Sequence, residues 1–262
     1  MLLFFRFFGR MFVLSVVCVV CGCERVEPVT MPIRETVAPS NLFAQLPACP
    51  PANSVLPPTN PRRVFLWVNI DAASVPTYEA WALGFAEHPA AEIDLWRGRE
   101  NFRERGFLDW RFADVPEMCS YFDDAEVIQD LGELTRISDA IALSTDMMTL
   151  TETSVIDNTP SAAAFSVIIY KLDYPLGERT AYLRATRATE NVFASQPEVL
   201  RMAVYENANA EQSPNRVIVV SFASVAHRDA FEQSETVVET QRQLAERAAK
   251  VNVCRFSRLP RL

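Results

Sequence analysis

Residues 112–134 lie over residues 222–244 without a gap, and this internal register constrains the fold more than any other feature of the chain. Five positions are identical in the overlay: Phe112 with Phe222, Ala113 with Ala223, Val115 with Val225, Val127 with Val237, and Leu134 with Leu244. Tyr121 falls against Phe231. Each copy reads as a strand end followed by an amphipathic helix, and in the first copy Asp114 with Glu117 has the spacing of a capping box. The surrounding pattern extends the correspondence. Val64 to Ile70 is a β-branched and aromatic run, a helix starts near Pro76, strands cover 91–98 and 106–112, a helix runs over 115–137, and 140–144 closes the unit as a strand. The same order returns with strands at 165–172, 200–205, 216–222 and 251–256, and helices at 178–194 and 225–249.

A β-α-β-β-α-β order is that of the ferredoxin-like unit. The expected fold class is therefore α+β, with one unit over 64–148, a Thr-rich linker over 149–163, and a second unit over 164–262. The second half also carries a strand ending in an aromatic, a polar cap, an aromatic nine residues on and a Ser-acidic pair: Phe222, Ser224, Phe231, Ser234 and Glu235. From Ala164 to Leu259 it resembles the dimeric α+β barrel group that includes antibiotic-biosynthesis monooxygenases and haem-degrading monooxygenases. The resemblance implies two units with their sheets packed face to face. In that group the units usually come from two chains, whereas a tandem copy lets one chain bury both sheet faces by itself.

Within the resemblance, haem chemistry is disfavoured. The iron-ligating histidine of haem-degrading members corresponds to Gln241 in one copy and Leu131 in the other, and neither is a usual haem ligand. Their pocket asparagine on the first strand is matched to Asn69 in the first copy and to Tyr170 in the second. Chlorite-dismutase-like and dye-decolorising peroxidases, which also use two ferredoxin-like units per chain, need an axial histidine, and the chain has only His88 and His227. Both read as helix-end surface residues.

The first residues give an address. Arg6 and Arg10 precede an apolar run from Met11 to Val20, the order of a secretory signal, and the run is short for a membrane span. Val20, Cys21, Gly22 and Cys23 resemble a bacterial lipoprotein processing site, which implies cleavage of a signal peptide over 1–22 and diacylation of Cys23. Two acyl chains anchor stably where one does not. Glu24 after the cysteine leans, by the same resemblance, toward the outer membrane facing the periplasm. The segment 23–63 carries nine prolines, a density that forbids helix and makes a solvated tether. Three cysteines remain beyond the lipid site, Cys49, Cys119 and Cys254; two of them can pair in an oxidising compartment, and the sequence does not say which.

The formal net charge is −8, and loss of the two arginines before Cys23 takes the mature chain to −10. That balance disfavours nucleic-acid and anionic-lipid surfaces. Seven glycines leave no phosphate-cradling loop, the cysteine and histidine spacing fits no metal site, and no cofactor is expected. Asp123 and Asp124 are adjacent and so point apart on a helix, as solvated residues do.

All four tryptophans lie in the first copy. With the strand faces turned toward the helices, Trp67, Asn69, Trp96, Trp110 and Tyr121 would line a cleft between sheet and helices, Asn69 being its polar handle. Large aromatics equally serve as plain core. The expected function is that of an envelope lipoprotein whose barrel binds a small apolar molecule or acts as a cofactor-independent monooxygenase. The alternative is a non-catalytic interaction or assembly module.

Overall fold

The structure is a computed structural model that describes Cys49 and residues 61–86, 92–98, 106–160, 163–209 and 211–259. Segment 1–22, Cys23, all of the tether but Cys49 and residues 61–63, and His88 lie outside the described residues. The first half runs β1 (Arg62–Ile70), α1 (Val75–Phe85), β2 (Glu92–Gly98), β3 (Gly106–Phe112), α2 (Val115–Phe122), α3 (Ala125–Ile141) and β4 (Ala142–Asp157). The second runs β5 (Ser166–Asp173), α4 (Arg179–Ala194), β6 (Val199–Asn207), β7 (Arg216–Phe222), α5 (Val225–Gln233), α6 (Glu235–Arg247) and β8 (Lys250–Arg258).

All strand pairings are antiparallel, and they close a barrel in the order β1-β3-β2-β8-β5-β7-β6-β4. Cut at β2/β8 and β4/β6, the barrel yields sheets β4-β1-β3-β2 and β8-β5-β7-β6, two tandem ferredoxin-like units with the same strand order. Each unit's fourth strand is hydrogen-bonded to the other's second. Among the described residues no sheet edge is left open, which removes the template for edge-to-edge aggregation.

The seam explains a departure from expectation. Residues 149–157, anticipated as linker, continue β4: its first part pairs with β1 and residues 150–157 pair with β6. Threonines 149, 151 and 153 read as a polar connection, yet they are β-branched and suit a strand whose partner edge would otherwise be unpaired.

Closure buries both faces of the sheets, so β1 is apolar almost throughout rather than alternating. Val64, Leu66, Val68 and Ile70 join a core beneath α1, α2 and α3. Phe65 and Trp67 point into the barrel instead. In the second half Ile168, Tyr170 and Leu172 face the helices, while Val167 and Ile169 face the barrel interior. The fold thus has three cores, two between sheet and helices and one inside the barrel. Gly106 marks a tight point between β3 and α1, because a Cβ there would lie 2.3 Å from the Tyr78 ring.

Each long helix expected after β3 and β7 is interrupted, and at equivalent residues. Asp124 accepts a hydrogen bond from Glu126 N at 2.8 Å and restarts the helix as α3. Ser234, its counterpart in the internal register, is extended with φ −62° and ψ 124° and opens α6. Short polar side chains that bond the local backbone favour a restart over a continuous helix.

Strand pairing corrects one equivalence. Leu66 pairs with Leu108, and Tyr170 pairs with Ile218. Leu108 and Ile218 correspond in the register that lays 112 on 222, so Tyr170 is the counterpart of Leu66, and Asn69 that of Asp173. The sequence match of Asn69 to Tyr170 was three residues out, because strands have no internal marker to fix their phase.

Candidate functional site

The cleft expected between sheet and helices is packed core. Trp110 donates its indole N–H to Tyr121 Oη at 3.2 Å, and both rings lie among Phe85, Phe112 and Phe122. In the second half Gln241 donates to Tyr170 Oη at 2.8 Å, and Phe193 stacks on Tyr170. Leu131 is fully buried. Gln241 and Leu131 therefore pack or bond internally at the positions where a haem ligand was sought, and the residues present do not fit that group.

Of the five residues assigned to one cleft, the structure separates three from the other two. Trp67 and Trp96 belong to the barrel interior, where Trp67 stacks on Phe107 with ring centroids 5.6 Å apart and lies 4.4 Å beneath Lys171 Nζ. Trp110 and Tyr121 lie on the other side of the sheet. Asn69 is buried near the far end of β1, six residues from the mouth at Arg63. The correction has a simple cause: with both strand faces apolar, alternation sorts residues within one strand but does not say which face meets the helices.

An open cavity of about 210 Å³ lies at the mouth where β1 and β5 begin. That is several times the ~30 Å³ a water molecule occupies in the liquid, room for a small organic molecule. Phe65, Trp96, Phe107, Val167 and Tyr205 give it an aromatic and aliphatic base. Charged side chains from both units stand around it: Arg63, Asp94, Asp109, Arg111, Arg201 and Arg258.

The strand registers reveal how the cavity is divided. Arg63 corresponds to Val167, Asp94 to Ala203, Asp109 to Val219, and Arg111 to Ser221, and all eight line the cavity. Equivalent positions of the two units thus meet at one mouth, charged in the first unit and apolar or small in the second. An amphipathic pocket results.

The ion pairs are interlocked. Arg63 Nη1 donates to Asp109 Oδ1 at 3.0 Å and to Oδ2 at 3.2 Å, with both side chains buried. Burial works against the Arg63 charge, but Asp109, Tyr205 and Glu152 raise its pKa and keep it protonated. At Asp109 burial outweighs the attraction of Arg63 and pushes the carboxyl up to about 6. Asp94 holds two guanidiniums, Arg111 from its own unit and Arg258 from the other, and so ties the β2/β8 seam. Arg111 also reaches the exposed Glu92 at 3.3 Å, and Arg201 reaches Glu152 at 3.5 Å. Burial, then the charge of Arg63, brings Arg111 down to about 10, so it is still charged at neutral pH.

Some donors in this region have no acceptor. Trp96 Nε1, Arg111 Nε and Arg201 Nε are buried without a hydrogen-bond partner, as is Trp67 Nε1 deeper in the barrel. An unmade buried hydrogen bond costs about 1–3 kcal/mol. None of the charged residues had been singled out from sequence. The available signal was a charge set inside an apolar strand, as in Ile93-Asp94-Leu95 and Leu108-Asp109-Trp110.

Other features are structural. His227 is exposed in the first turn of α5, where its N–H and Nδ1 both meet the Ser224 cap. Among the described residues no group of His, Cys, Asp or Glu is arranged to hold a metal ion, and no helix is long and apolar enough to cross a membrane. Cys49 is bonded to Cys119 on α2, and Cys254, outside that bond, is buried in the barrel core.

No protein-family model matches the chain. No curated protein matches it either. Solved structures do share the fold. A candidate monooxygenase from Fusobacterium nucleatum is similar over 77% of this chain and 94% of its own, with 6% identity and a TM-score of 0.60. An anthrone oxidase-like protein is similar over 78% and 92%, with 11% identity and a TM-score of 0.57. A candidate monooxygenase from Lactobacillus acidophilus is similar over 76% and 94%, with 14% identity and a TM-score of 0.53. At these identities the likeness establishes the ferredoxin-like α+β barrel and leaves the chemistry to the site.

Proposed function

We propose that this protein is an envelope lipoprotein whose barrel binds a small, partly apolar organic molecule at the mouth lined by Arg63, Trp96 and Tyr205. The meeting of charged side chains with an aromatic and aliphatic base in that cavity carries the reading. Three solved neighbours named as monooxygenase or oxidase candidates lend weight to its catalytic form, cofactor-independent oxygenation of the bound molecule; the fold, not shared residues, is the basis of that form. The common strand order and the helix breaks at Asp124 and Ser234 support an origin by duplication of one unit.

Native mass spectrometry of the protein released from membranes tests the pocket. A small molecule is expected to co-purify with the wild type and to be absent from Ala164→Trp, which fills the mouth from a half-buried position without cutting into the core. Wild-type protein that flies bare, with a neutral or charged soaked panel showing no Ala164-dependent binding, would refute it.

Two observations support the address: the lipoprotein-like sequence ending at Cys23, and the Cys49–Cys119 bond, a linkage typical of oxidising compartments. Cys23→Ser is expected to abolish incorporation of labelled fatty acid and to release the protein from the membrane fraction. Persistent labelling would remove the processing site from consideration.

A further inference from the structure

The cavity's unsatisfied polar atoms are all of one kind. Trp96 Nε1, Arg111 Nε and Arg201 Nε are N–H donors, while no buried carboxylate or hydroxyl oxygen of the lining lacks a partner. Trp96 is only 5% exposed, so its indole N–H has little recourse to bulk water. A surplus of donors with no surplus of acceptors selects a ligand rich in acceptors.

The charges narrow the class. One carboxylate, Asp94, is shared by Arg111 and Arg258, and Arg63 is taken up by Asp109. Arg201 meets Glu152 at 3.5 Å and also feels the charge of Asp109. Of the remaining acids, Glu92 meets Arg111 at 3.3 Å with a side chain 78% exposed, and Asp157 is exposed. Water and salt screen exposed charges of that kind. The lining also includes Val167, Ala203 and Val219, which offer no polar group beyond their backbone.

We propose that the mouth binds a small organic carboxylate, its oxygens received by Arg111, Arg201 and the Trp96 indole, its apolar body against Val167, Ala203 and Val219. This rests on the small-molecule reading of the same cavity and adds the charge of the ligand to it. Guanidinium forks match carboxylates in geometry.

The test uses matched pairs: 2-naphthoate with 2-naphthamide, octanoate with octanamide, and cyclohexanecarboxylate with its amide, titrated calorimetrically against the full lipidated protein in nanodiscs. At least one acid is expected to bind roughly 10–100-fold more tightly than its amide. Arg201→Gln, at a half-exposed position, should remove about tenfold of that preference, and Trp96→Phe, which keeps an aromatic base, should weaken the acid more than the amide. Both variants should melt as cooperatively as the wild type, and the wild-type preference needs no variant at all. Amides binding as well as acids would overturn the carboxylate assignment and leave the small-molecule reading intact. A preference for acids that both variants retain would overturn the assignment of these donors. No binding by any pair would overturn both readings.

Discussion

Arg63→Ala is expected to destabilise the protein by about 3–5 kcal/mol, because it leaves the Asp109 carboxylate buried with its principal partner gone. Asp109 is 8% exposed and is held by Arg63 through two contacts from one nitrogen. The pH dependence gives the effect a signature. The folded pKa of Asp109, about 6, lies above the ordinary value of 3.8, so the unfolded chain releases this proton first as pH rises. Between about pH 4 and 6 the native state then binds more protons than the unfolded one, and stability falls with rising pH through that window. Below it the contribution is fully present; above it the wild type has lost roughly 3 kcal/mol from this group. Without Arg63 the carboxyl's pKa rises further and the decline extends to higher pH. Denaturant melts of wild type and Arg63→Ala at pH 5 and pH 8 should therefore show the larger deficit at pH 8. Arg63→Met with Asp109→Leu should recover much of the loss, since no buried charge then remains. A deficit under 1 kcal/mol at both pH values would mean that water reaches Asp109 freely.

Much of the architecture could be read along the chain because two periodicities and two caps recur in register. The strands at 106–112 and 216–222 were expected over the residues they occupy. The seam strand was not legible, since a polar β-branched run such as Thr149 to Thr153 resembles a loop until its partner β6 is known. Helix restarts at Asp124 and Ser234 carried a sequence signal, a short polar residue followed by an acidic one nearby, yet the same residues also suit an exposed helix face. The site was harder to see. Trp67 and Trp96 were expected in one cleft with Trp110 and Tyr121, because sequence alternation is blind to whether a face meets helices or the other sheet. Only the register between halves shows Arg63 meeting Val167 and Asp109 meeting Val219 at one mouth.

That juxtaposition also gives a reason for encoding both units in one chain. In a barrel built from two identical chains, symmetry presents every lining residue twice, so an arginine on one wall faces the same arginine across the axis. Repulsion between like charges in a confined space then limits how polar such a mouth can become. Two units within one chain are free to differ. Here Arg63, Asp94, Asp109 and Arg111 of the first unit stand at the positions held by Val167, Ala203, Val219 and Ser221 in the second, which adds Arg201 and Arg258 of its own. A ligand with one charged end and one apolar end has a single favoured orientation in such a pocket, and a reactive position on it would be held at a constant depth.

Breaking the Cys49–Cys119 bond is expected to have an effect as large as losing Arg63, but through the unfolded chain. The bonded residues are 70 apart in sequence with Cα atoms separated by 5.6 Å, so the bond closes a loop that includes β1, α1, β2 and β3. Closing a loop of that length removes enough unfolded-state entropy to contribute about 4 kcal/mol, with native-state strain subtracting from it. Cys119→Ala deletes the bond at a half-buried position on α2 and leaves Cys254 in the barrel core as an untouched thiol. Wild type with reductant and Cys119→Ala without it should unfold at the same denaturant concentration, both well below oxidised wild type. Reductant should not shift the variant further. Non-reducing peptide mapping of envelope-purified protein should recover Cys49 linked to Cys119 and Cys254 as the alkylated species. Recovery of free Cys49 would withdraw the bond's support for an oxidising compartment, and equal stability of oxidised wild type and variant would show that the unfolded chain gains little freedom when the loop is opened.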